Sequence, residues 1–282
     1  MRTDLARDRI FLLSAFLSPV IAGIVFMVSA GAPASFVLAN AAAFFGVAIA
    51  FWRVPQISPQ SSSLVVTALL PVLLACTFAG PAIDDVHRWV ALGPLKLHVA
   101  MLLLPFLAVQ MFRHDKRIIS VGLTLAALII AFQPDRASAA ALFLASLCWL
   151  CFMRDGWSLA TTFVSAAALL RTMLDADTLP PVRFVENVIS DAAFIHPSIV
   201  VLLIATMLLA IGVPLYAGLR GGLAQAAPFI AWAACLTGYF LASLAGPYPT
   251  PLMGYGVSPI LGFGLPLAMM RQESDKPGWE TH

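Results

Sequence analysis

Ten runs of apolar residues, each bounded by charge or by glycine and proline, constrain this chain more than anything else in it. They cover approximately Ile10–Ala30, Ala34–Trp52, Ser61–Phe78, Leu97–Phe112, Ile118–Phe132, Ser138–Phe152, Trp157–Met173, Ser198–Ala217, Ala227–Leu244 and Val257–Met270. An upright membrane helix needs about 20 predominantly apolar residues, and several of these runs approach or reach that length. A soluble domain of ordinary composition is about half apolar and a quarter charged. Here 61% of the 282 residues are hydrophobic and 11% are charged. The excess lies in membrane-length blocks, so the sequence predicts an all-α polytopic transmembrane bundle of about ten spans. It is one domain, 1–282, with short polar segments at 1–9 and 271–282. The short fifth and sixth runs leave open whether they merge into one.

Charge sets orientation. With the N-terminus in the cytoplasm, the inward turns hold Arg2, Arg7, Arg9, Arg53, Arg113, Lys116, Arg117, Arg154, Arg220, Arg271 and Lys276. The outward turns hold Arg88, Lys96, Arg136, Arg171 and Arg183. Cytoplasmic loops carry the excess of Lys and Arg, so this bias favours an even number of spans with both ends inside. The net charge of +2, with no dense basic stripe, argues against nucleic acid as a partner. Cys76, Cys148, Cys151 and Cys235 all lie in apolar runs and read as buried thiols, not as a disulfide framework. The first run is longer than the 7–15 residues, roughly, of a signal-peptide core and reads as a retained helix.

Four outward segments carry the unusual chemistry. Gly80–Lys96 includes Asp84, Asp85, His87, Arg88 and Trp89 between glycine-proline pairs. Gln133-Pro134-Asp135 follows the fifth run, Ser190-Asp191 precedes the eighth, and Pro251–Pro259 leads into the tenth with Tyr255 and Ser258. No Asp, Glu, Lys or Arg falls well inside a predicted span. Ion-coupled transporters and proton relays usually need such a group at membrane depth, which weakens the transporter or lipid-flippase alternative. Each segment also has a plain reading. Trp89 and Arg88 suit a headgroup boundary, Asp84 and Asp85 a solvated loop, and Asp191 the first turn of a helix.

In order, side and position, these segments resemble the SEDS family (shape, elongation, division and sporulation), which includes FtsW and RodA. Arg88-Trp89 followed by Leu92-Gly93 is similar to the family's Arg-Trp-(apolar)-x-(apolar)-Gly loop, and Gln133-Pro134-Asp135 to its (Gln/Glu)-Pro-Asp turn. Asp191, with Phe194-Ile195 after it, lies where the family has His-Thr-Asp-Phe-Ile-Phe, here with the aromatic two places late. Pro251, Tyr255, Gly256 and Ser258 fall on Pro-Phe-x-Ser-Tyr-Gly-Gly-Ser-Ser. The chain departs from the pattern at His98-Val99-Ala100-Met101 and Leu104, where the family has Gln-Pro-Ser-Glu and then a lysine. The outer loop is also short, about Arg171–Asp191.

The resemblance implies a bacterial inner-membrane protein that acts on lipid II, the polyprenyl-linked cell-wall precursor, at the outer face. The implied activity is peptidoglycan glycosyl transfer in division or cell-shape maintenance. Asp191 would be the catalytic base, and Arg88, Trp89, Gln133, Asp135, Tyr255 and Ser258 would bind substrate. Asp84, Asp85 and Asp135 are candidate ligands for a divalent cation, through hard carboxylate oxygens. A penicillin-binding transpeptidase is the implied protein partner. The missing helix Glu and Lys and the shortened loop keep a second reading open, a non-catalytic SEDS-like scaffold.

Overall fold

The protein is described from a computed structural model, for residues 2–53, 74–81, 86–93, 95–112, 115–133, 135–174 and 181–274. The elements are α1 (Arg2–Ser29), α2 (Ala34–Arg53), β1 (Trp89–Leu92), β2 (Leu95–His98), α3 (Val99–Gln110), α4 (Lys116–Phe132) and α5 (Arg136–Met153). After them come α6 (Gly156–Leu174), α7 (Val188–Ile195), α8 (Pro197–Arg220), α9 (Leu223–Ala245) and α10 (Val257–Ser274). This is a polytopic helical membrane bundle. Among the described residues, six helices are long and apolar enough to cross a membrane, and two shorter apolar ones are Val99–Gln110 and Val257–Met270. The third predicted span lies mostly outside the described residues. The fifth and sixth stay separate, because the chain leaves the helix at Gln133 and Asp135 caps the next one.

The helices end where their sequences stop them. Asp115 accepts the Arg117 N–H and starts α4, and Asp135 accepts the Ser138 N–H and starts α5. Each satisfies an amide that the first turn leaves without a partner. In a bilayer such groups have no water to turn to, so capping matters more than in a soluble bundle.

α9 runs through the middle of the bundle, packed on α5, α8 and α3. Small residues allow the backbones to approach: a Cβ on Gly238 would fall 2.5 Å from Ala141 Cα, and one on Gly262 would strike Met101 O. Close contact through small residues is how helices associate where lipid removes the hydrophobic drive. Trp232, Tyr239 and Phe263 fill the centre, with Trp232 Nε1 donating to Phe263 O at 3.0 Å. Hydroxyls tie α4, α5 and α6 together, as in Ser120 to Thr161 at 2.7 Å and Thr162 to Ser146 O at 2.8 Å. Leu38, Phe163 and Val201 are exposed on the outside, where lipid covers them.

Gly23 of α1 lies against Met253, just before α10, whereas Phe16 lies against Gly264, midway along it. α1 and α10 therefore run antiparallel, so that the start of α1 and the end of α10 lie at the same end of the bundle. The Lys116–Asp155 ion pair, 2.8 Å, joins the start of α4 to the α5–α6 turn. The polar segments singled out in the sequence gather at the opposite ends of these helices.

Candidate functional site

β1 and β2 form an antiparallel hairpin in which Trp89 pairs with His98, Val90 with Leu97, Ala91 with Lys96 and Leu92 with Leu95. That register leaves a two-residue connection at 93–94. Gly93 takes φ +59 there, the left-handed region that such tight hairpins demand. The hairpin's far end is the start of α3, so its last residue also serves as a helix cap. That residue is His98.

His98 is the centre of a buried polar cluster. Its Nδ1 accepts the Met101 N–H at 3.3 Å, and its own backbone N–H donates to Ser258 Oγ at 2.9 Å. With Nδ1 occupied as an acceptor, a neutral ring carries its proton on Nε2. Nε2 stands 3.4 Å from Asp135 Oδ2. Trp89 lies edge-on to the imidazole, with ring centroids 6.2 Å apart. Asp135 is 1% exposed; its Oδ1 accepts from Ser138 N at 3.0 Å, and Ser138 Oγ meets Tyr239 OH at 2.9 Å. Arg88, 5% exposed, donates through Nε to Gln133 O at 3.2 Å. The Gln133 amide in turn donates to Leu74 O at 3.1 Å and to Thr77 Oγ1.

Electrostatics settle the charges in this cluster. Burial lowers the His98 pKa, and Arg88 adds to this; together they outweigh Asp135, so the imidazole titrates below its ordinary range. Burial alone would raise Asp135. The His98 ring, Arg88 and the Ser138 N–H outweigh it and hold the carboxyl below the usual carboxylate range. At neutral pH the cluster therefore holds an arginine cation, an aspartate anion and a neutral histidine. The aspartate anion and the arginine cation thus lie in one buried polar cluster.

A second polar contact lies on the far side of Ser258. Asn40 of α2, fully buried, donates through Nδ2 to Gly254 O at 2.9 Å and accepts the Gly256 N–H on Oδ1 at 3.1 Å. Between those glycines, Tyr255 stacks on Phe36 with centroids 3.9 Å apart and planes within 9°.

Asp191 is placed differently. It lies on the eight-residue α7, half-buried, its backbone N–H donating to Asn187 O at 2.8 Å. α7 packs on α8 through Val188 and Ala192, both buried, while Phe194 two residues further on is 90% exposed.

Arg88, Trp89, Gln133, Asp135 and Ser258 are thus brought together around His98, and Tyr255 stands at the next turn. Among the described residues no hydrogen bond or ion pair joins Asp191 to that group. Asp84, Asp85 and Pro134 lie outside the described residues. Among those described, no three His, Cys, Asp or Glu residues are grouped to hold a metal ion. Sequence reasoning treated His98 only as the place of a missing residue, and it passed over Asn40, Thr77, Ser138 and Tyr239. Asn40 had a signal, as the one asparagine inside an apolar run. Polar groups at such depth are costly and usually have a purpose.

As a whole the chain has a RodA-like fold. RodA, the rod-shape-determining protein of Thermus thermophilus, matches along nearly its whole length. Its point-mutant crystal structure aligns with a TM-score of 0.69 at 15% identity, covering 96% of this chain and 97% of that one. The unmutated RodA aligns with a TM-score of 0.66 at 16% identity over the same shares. A chain from a peptidoglycan synthase complex, studied for how it coordinates polymerization and crosslinking, gives 0.67 at 17% identity, covering 95% and 98%. No protein-family model and no curated protein matches the sequence.

Proposed function

We propose that this protein polymerises glycan strands from lipid II at the outer face of a bacterial inner membrane, with Asp191 as general base. Asp191 takes the proton from the acceptor sugar hydroxyl as that oxygen attacks the donor's anomeric carbon. The bond from that carbon to the polyprenyl pyrophosphate breaks, and the pyrophosphate leaves with the electron pair. The observation that carries the reading is the placement of Asp191. In a RodA-like fold matched end to end, a half-buried carboxylate stands on a peripheral helix beside the exposed Phe194. A lipid-linked donor can approach such a carboxylate from the bilayer. On this reading Arg88, Trp89, Gln133, Asp135, Tyr255 and Ser258 would bind the substrate, with Arg88 lending positive charge towards the leaving group. Asp84 and Asp85 would hold a divalent cation if the reaction uses one, through hard oxygen ligands.

A second reading has its own support. Arg88 and Asp135 are both engaged inside the buried His98 cluster, and His98 and Leu104 stand where the family carries a glutamine and a lysine. These features suit a scaffold that binds lipid II or a transpeptidase without turning it over. Purified protein in lipid, alone and with a penicillin-binding transpeptidase, given labelled lipid II, separates the two. Glycan polymer supports the enzyme, and retained lipid II or partner binding with no polymer supports the scaffold.

A further inference from the structure

We propose that Asn40 is a positioning residue: it pins the turn at 250–258, and through it the strap at 182–187, so that α7 holds Asp191 in fixed relation to the hairpin end. Asp191 as the base is taken from the proposed function; the mechanical coupling stands without it.

The path is continuous. Both polar atoms of the buried Asn40 amide are spent on the backbone of Gly254 and Gly256, more than two hundred residues away in sequence. Leu, Ala or Val at that place would suit α2 as a membrane helix equally well, so helix formation does not explain an asparagine. The turn that it grips carries the strap. Thr250 N donates to Val185 O at 2.9 Å, Tyr255 N donates to Phe184 O at 2.6 Å, and Glu186 bridges to Pro249. Phe184 packs between Phe26 and Phe36, at 6.4 and 6.3 Å between centroids. The contact leaves no room, because a Cβ on Gly254 would fall 2.7 Å from Val185 O.

Backbone conformation points the same way. Phe184, Asn187 and Leu252 all adopt positive φ, at 68°, 57° and 66°. Phe and Leu hold such angles only where surrounding contacts over-determine them, whereas asparagine adopts them readily, and such strained sites cluster where geometry matters to function. Asn187 is the residue from which α7 starts, and its carbonyl accepts the Asp191 N–H. From Asn40 to Asp191, each link is thus a backbone hydrogen bond or a residue in a constrained conformation. At the other end of the turn, Ser258 receives the His98 N–H. One turn therefore ties α2, the hairpin and the strap together.

The test is a distance measurement by paired spin labels at Lys96, exposed on β2, and Ala193, exposed on α7. It uses full-length protein in lipid with the four native cysteines replaced by alanine. The unsubstituted background should give one narrow distance distribution. Asn40→Ala and Gly254→Ala, which attack the same contact from opposite sides, should each at least double its width. Leu38→Ala, on the lipid-facing side of α2, should leave it unchanged. If Asn40→Ala is not recovered folded, Gly254→Ala and the milder Asn40→Asp decide. In the lipid II assay, both principal variants should lower kcat by about 10–100-fold with KM within about twofold, as expected when a reactive group is misplaced by an ångström or so. Unchanged widths in folded Asn40→Ala and Gly254→Ala overturn the proposal. Broadened widths with no polymer from any form of the protein leave the coupling standing and remove the catalytic role of Asp191.

Discussion

Asp135 and Asp191 are both aspartates that the sequence marks as site residues, and the fold treats them in opposite ways. Asp135 is sealed inside the bundle end, capping α5 and compensating Arg88 beside a neutral His98. Asp191 stands half-buried on a peripheral helix, with an exposed aromatic nearby and no side-chain hydrogen bond or ion pair among the described residues. A buried charge that caps a helix and faces a neighbouring ring is held by the fold, and removing it is costly. On the proposed reading Asp191 is the carboxylate that acts on the substrate.

The comparison is easiest to break at Asp135. Asp135→Ala removes a buried carboxylate beside His98 and near Arg88 and leaves the first turn of α5 uncapped. Breaking one side of a buried pair costs about 3–5 kcal/mol, so thermal unfolding in lipid or detergent should show a severe loss or no folded protein. A melt within a degree or two of wild type would mean that the cluster is not structural.

A smaller loss is expected at Ser258→Ala, which strips the His98 N–H of its acceptor in a buried setting. An unsatisfied buried amide costs about 1–3 kcal/mol. Ser258→Thr, which keeps the hydroxyl, should recover most of it in the same melt.

The pH dependence sharpens the assignment of charge. His98 titrates below its ordinary range when folded and near 6.5, roughly, when unfolded. The unfolded chain therefore binds more protons below that pH, and stability falls as the solution is acidified from about 6.5 downwards. Melts at stepped pH should show this slope, and His98→Gln should flatten it. A slope of the opposite sign would mean that the histidine is charged in the fold.

At the other end of the bundle the effect is smallest. The Lys116 ammonium, with help from the Ser158 N–H, holds Asp155 down to about 2. Its contribution is present above the ordinary aspartate range and is lost as pH falls through about 2. The pair is solvent-exposed and screened, so Lys116→Ala should barely move the melt at neutral pH.

The helices were legible in the sequence because the bilayer imposes one rule on all of them. Nine of the ten apolar runs have helical counterparts, all within a few residues except at the start of the first, whose helix begins at Arg2, and the third lies mostly outside the described residues. The resemblance to SEDS proteins, carried on four short motifs, agrees with the RodA-like fold. The hairpin was not foreseen, since strands as short as Trp89–Leu92 and Leu95–His98 have no periodicity to read. α7 is too short for a helical period to show, although Asp191 does fall in a helix first turn as its plain reading had it, and its N-cap Asn187 makes no side-chain cap hydrogen bond. His98 was invisible as a centre because its partners, Asp135 and Ser258, are distant in sequence and meet it only when the bundle closes. Asp135 itself, in a motif that suggested substrate or metal, proves to be a helix cap as well.

The contrast between the two aspartates comes down to one paired measurement on Asp191→Asn, which keeps the shape of the side chain but cannot take the proton. Purified protein in lipid is melted and, from the same preparation, assayed for glycan strands from lipid II with a transpeptidase partner present. The melt should stay within about 0.5 kcal/mol of wild type, as for most substitutions of partly exposed groups. Polymer from the wild type should fall about 10²–10⁴-fold in the variant, the usual cost of a lost general base. Polymer at the wild-type rate from folded Asp191→Asn would contradict the account.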